Sequence, residues 1–106
     1  MRERRAPSGI VCSLVTPFAR DERPDLGAFG ELLDVQVATR IHGLFLLGTA
    51  GEGVLLTPRE RMDTAEFAVA RVAGRVPILL HCGAADTVTA SRLADHAQGL
   101  GVTAEA

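Results

Sequence analysis

Leu44-Phe45-Leu46-Leu47-Gly48-Thr49-Ala50-Gly51-Glu52-Gly53 is the stretch that decides the fold. Four apolar residues run straight into a glycine-punctuated loop carrying one hydroxyl and one carboxylate. Thr57-Pro58-Arg59-Glu60 then opens a helix, with Thr57 as N-cap, Pro58 at the first helical position and Glu60 placed to close a capping box. Strand, polar loop and helix make one unit of a parallel α/β protein, and in such proteins chemistry is normally placed in the loop after the strand.

The same unit recurs on either side. Upstream, Ile10-Val11-Cys12-Ser13-Leu14-Val15 is a short apolar strand that Thr16-Pro17 must end, because proline cannot donate to a sheet. After a polar turn at Arg20–Pro24, Asp25 is a credible N-cap, and Leu26, Phe29, Leu32, Leu33, Val37 and Ile41 recur at helical spacing. Gly27 and Gly30 weaken this helix, so it needs tertiary packing, and His42-Gly43 closes it.

The helix opened by Thr57 has Met62, Ala65, Val69, Val72 and Ala73 as its apolar face and Gly74 as its stop. Downstream, Pro77 precedes a third apolar run, Ile78–Cys82, ended by Gly83. Asp86 or Thr87 then caps a helix with the stripe Ala90, Leu93, Ala94, Ala97 and Leu100, and Gly101 is its stop. Val102 to Ala106 lie where a fourth strand would come but form no convincing one. The order β-α-β-α-β-α, at a period of about thirty-five residues, predicts a parallel sheet. Continuous apolar strands require both sheet faces to be covered, and three helices cover one.

Composition narrows the function. A net charge of −2 over 106 residues offers no electrostatic case for nucleic acid or a membrane surface. No run reaches transmembrane length, and Ile10–Val15 is too short for a secretory signal. The reading is a cytoplasmic protein with residues 1–8 as a disordered terminus. Cys12 and Cys82 lie in apolar runs without a neighbouring cysteine at metal-ligand spacing and read as buried reduced thiols. All 11 basic residues are arginines; lysine, tyrosine and tryptophan are absent, and amine chemistry has no amine.

Gly48 to Gly53 could cradle an anion on backbone N–H groups, with Thr49 adding a hydroxyl, or could simply be a tight strand-to-helix connection. Its G-x-x-G-x-G spacing is not the dinucleotide fingerprint. His81 and Cys82 lie at the carboxyl end of a strand. Adjacent strand residues face opposite sides, so they do not make a catalytic pair, and His81 reads as a packed histidine. His42 and His96 read as helix-end and helix-surface residues, and the arginines as solvated faces.

Several segments together resemble the amino-terminal signature of the dihydrodipicolinate synthase / N-acetylneuraminate lyase family. They are Ser13-Leu14-Val15-Thr16-Pro17-Phe18, Gly48-Thr49-Ala50-Gly51-Glu52 and Leu56-Thr57-Pro58-Arg59-Glu60-Arg61, with Arg75-Val76-Pro77-Ile78, Gly83 through Thr87, and Leu93-Ala94 at fitting distances. The resemblance implies a (β/α)8 TIM barrel whose first three βα units are present here, residues 1–106 being the amino-terminal part of one barrel domain. It also implies class I aldolase or lyase chemistry on pyruvate or a related 2-keto acid, such as that of 4-hydroxy-tetrahydrodipicolinate synthase. In that chemistry a lysine on a later strand forms a Schiff base and a later tyrosine assists proton transfer.

By the same resemblance Thr49 joins a proton relay, Thr49 and Ala50 occupy the positions that hold the substrate carboxylate, and Ser13 lines the pocket beside the lysine. No cofactor and no metal are implied. Ala50 stands where a second hydroxyl is usual, so one carboxylate contact falls to backbone N–H. A complete barrel takes typically about 250 residues, and without lysine or tyrosine the expectation is a truncated chain, inactive by itself. With its inward strand faces uncovered, it is expected to aggregate, to be molten, or to associate as a homo-oligomer or with a complementary chain. The alternatives from the residues are a non-enzymatic part-barrel that pairs with such a chain and a small anion-binding α/β module.

Overall fold

The computed structural model describes residues 9–48, 51, 53–102 and 104–105. Four parallel strands form one sheet in the order β1-β2-β3-β4, with β1 at Val11–Ser13, β2 at Gly43–Leu46, β3 at Ile78–Leu80 and β4 at Ala104–Glu105. Helices α1 (Leu26–Ala38), α2 (Pro58–Val72) and α3 (Thr87–Leu100) connect them, and one 3-10 turn, Gly53–Leu55, follows β2. The expected alternation is therefore present, with one correction. The chain past α3 does pair as a strand, Ala104 beside Leu79 and Glu105 beside Leu80. Two residues carry no periodicity of their own, and an existing β3 edge is what draws them into register.

The helix starts follow local chemistry. Asp25 accepts from the Ala28 N–H at 3.1 Å. Thr57 and Glu60 exchange both bonds of the capping box, at 3.1 and 2.9 Å. Asp86, rather than Thr87, caps α3, accepting from the Thr89 N–H at 2.8 Å and the Thr89 hydroxyl at 2.9 Å. Each such cap satisfies N–H groups that the first helical turn leaves unpaired.

The ends differ from expectation. α1 stops at Ala38 instead of running to Ile41, because the Thr39 hydroxyl donates to Gln36 O and Arg40 turns left-handed at φ 59. Ile41 still packs against the core. The reversal after α2 begins at Ala73, φ 52, and continues through Gly74, φ 76, so Ala73 is exposed and not part of the apolar face.

The core lies between the sheet and the helices. Leu44 and Leu46 of β2 and Ile78 and Leu80 of β3 are buried beneath Phe29 and Leu33 of α1, Ala65, Ala68 and Val72 of α2, and Leu93 and Ala97 of α3. Gly30, which weakens α1 as a helix, is where α1 and α2 approach: a Cβ there would meet the Arg71 guanidinium at 3.0 Å and the Phe67 ring at 3.1 Å. Arg71 crosses that gap to bind both oxygens of Asp34, at 3.0 and 2.7 Å.

The opposite face of the sheet has no such cover among the described residues. Val11 and Ser13 are exposed, and Phe45 and Leu79 are half-buried. Cys82 is buried and Cys12 half-buried, and neither is in a disulfide.

Candidate active site

The carboxyl ends of β1, β2 and β3 lie side by side, and three stretches meet there: Ser13 to Thr16, the loop from Gly48, and His81 to Gly83. Register sets their relative heights. Ser13 lies beside Phe45, and Phe45 beside Leu79, so all three share the uncovered face. The Leu14 N–H still reaches Phe45 O and the His81 N–H reaches Leu46 O, both beyond the last strand residue. Pairing thus extends to the rim.

The glycines after β2 have a geometric reason. Leu47, buried, takes the left-handed conformation at φ 62 and turns the chain back over the strand end. Such a φ is unfavourable for a residue with a Cβ, so surrounding contacts hold it. Gly48 lies directly against the Phe45 ring, and Gly53 directly against the Leu47 carbonyl. A Cβ on Gly51 would fall 2.9 Å from Leu47 N and 3.1 Å from Leu14 O. The Gly53 N–H donates to Gly48 O at 3.2 Å. A side chain at Gly51 or Gly53 would meet backbone at the strand ends and push the chain off them, whereas one at Gly48 would displace the Phe45 ring. Thr49, Ala50 and Glu52 lie outside the described residues.

Arg61 is the functional-site residue that sequence reasoning missed. The sequence pattern places it among the solvated arginines, yet only 4% of it is exposed. From the first turns of α2 its guanidinium donates to Gly83 O at 2.7 Å and to His81 O at 2.8 Å, clamping the chain just past β3. Among the described residues its buried Nε has no hydrogen-bond partner, and neither does the Thr16 hydroxyl at the end of β1. Burial lowers the Arg61 pKa, an effect the neighbouring Cys82 thiol opposes. The buried face of α2 is accordingly Arg61, Thr64, Ala65, Ala68 and Val72, with Met62 and Val69 at its margins. The spacing Arg61, Ala65, Ala68, Val72 was the available signal.

His81 and Cys82 point to opposite sides. The Cys82 thiol is buried on the helix side and donates to Leu80 O at 3.6 Å. The His81 ring lies on the uncovered face, 6.2 Å from the Phe45 ring. Burial, and then the Arg61 charge, lower the His81 pKa. His42 is more than a helix-end residue: its Nδ1 accepts from the Ile10 N–H at 2.9 Å while its own N–H donates to Ile10 O at 3.1 Å, extending the β1–β2 pairing. His96 of α3 approaches Glu66 of α2 at 3.5 Å.

Parallel strands in sequential order, joined by helices and with the carboxyl ends of β1, β2 and β3 at one rim, match the start of a TIM barrel, and the dihydrodipicolinate synthetase family matches residues 6–106. The chain belongs to that family. Among curated members it is 36% identical over 97 residues to the 4-hydroxy-tetrahydrodipicolinate synthase of Pseudomonas putida, covering 92% of this chain and 33% of that protein. It is 38% identical over 96 residues to the N-acetylneuraminate lyase of Rhizobium meliloti, covering 91% of this chain and 32% of that one. Among solved family members, a prophage protein of Escherichia coli K12 in complex with pyruvate superposes with a TM-score of 0.88 at 33% identity, covering 92% of this chain and 33% of its own. The chain thus spans about a third of the length of the family members it matches, and it matches their first βα units.

Proposed function

We propose that these residues are the amino-terminal part of the active site of a Schiff-base aldolase or lyase acting on pyruvate or a related 2-keto acid. The observation that carries this reading is the rim of the sheet: Ser13 on the uncovered face, beside a loop pinned by Gly48, Gly51 and Gly53 to the ends of β1 and β2. Family membership and a relative solved with pyruvate support it. In this reading Thr49 serves the proton relay and, with the backbone at Ala50, holds the substrate carboxylate. Ser13 lines the pocket.

The 106 residues contain neither lysine nor tyrosine, so their share of the work is binding and orientation. The amine that attacks the keto carbon must come from other residues, as one or more (β/α) units completing the barrel domain that residues 1–106 begin. The substrate is a small keto acid, the setting cytoplasmic, and the chain by itself inactive.

Borohydride trapping with pyruvate tests this. No covalent adduct is expected on the 106-residue chain, and one is expected when a lysine-bearing (β/α) polypeptide completes the barrel. An adduct on the 106 residues themselves would refute the assignment.

A second reading, a non-enzymatic part-barrel paired with a complementary chain, is favoured by the uncovered inner face, where Val11 and Ser13 are exposed and Phe45 and Leu79 half-buried. Light scattering distinguishes a lone monomer from a homo-oligomer or a paired assembly.

A further inference from the structure

We draw no further inference here: the strongest candidate, the cavity of about 520 Å³ between the first turns of α2 and α3 that Leu56, Pro58, Arg61, Ala84, Asp86 and Thr89 line, restates an established ligand subsite of the family.

Discussion

The two faces of the sheet are built from the same strands and meet opposite fates. On the helix side Leu44 is fully buried and Leu46 and Leu80 nearly so; on the other, neighbours one residue away along the same strands are half-buried or exposed. Residue chemistry does not separate them, since Leu79 and Leu80 are both leucines. What separates them is cover: α1, α2 and α3 lie across one face, and the described residues put nothing across the other. The covered face supplies the stability of this segment. The uncovered face, with Ser13, Phe45 and His81, supplies its candidate chemistry.

The most direct way to break this contrast is a pair of identical truncations. Leu44→Ala should cost about 3–5 kcal/mol in urea unfolding, the range for a fully buried leucine whose cavity does not collapse. Leu79→Ala should cost about 1 kcal/mol in the same segment, because much of its side chain is already in water. When a (β/α) polypeptide completes the barrel, the Leu79→Ala cost should climb towards that of Leu44→Ala. Equal costs in the uncompleted segment would mean that the inner face is already covered.

Arg61 reaches the rim from the covered side, so its removal tests whether the two faces are coupled. Arg61→Met leaves the His81 and Gly83 carbonyls without their donor and should cost about 2 kcal/mol by denaturation. Arg61→Lys should recover only part of that, since an ammonium is a point donor while the planar fork spans both carbonyls. Full recovery by lysine would show that charge, and not the paired geometry, is what matters.

The smallest effect is the pH dependence of the rim. The native His81 pKa lies below its ordinary value, so at mildly acidic pH the unfolded chain binds more protons than the native one. Stability should therefore fall as pH drops below the range where a free histidine titrates, and His81→Phe should flatten that slope. Further acidification should remove the contribution of Asp86, whose pKa is lowered first by the Thr89 N–H it accepts and then by the Thr89 hydroxyl. Urea unfolding across this pH range reads both slopes.

The legible and illegible parts of the chain divide by distance along it. Asp25, Thr57 and Asp86 were readable as caps because each acts on a backbone N–H three residues on. Leu33, Leu93 and Ala97 were readable as core because helical periodicity brings them to one side. Gly48, Gly51 and Gly53 were visible as a loop, and the close approach to Leu47 and Phe45 that demands glycine was not. Arg61 could not be read as buried, since its carbonyl partners lie 20 and 22 residues away. Nor could the His42 side chain be placed on Ile10, or Ala104 and Glu105 be seen as a strand before an edge existed to pair them.

The sequence by itself determined the alternating units, their caps and stops, and the family signature, because those rest on spacings of a few residues and on turn chemistry. Tertiary structure decided which leucines are core and which are open, which arginine is buried, and that His81 faces the rim while Cys82 faces the helices. These depend on sheet register and on partners brought together from distant positions, and a local pattern does not encode where such partners will be.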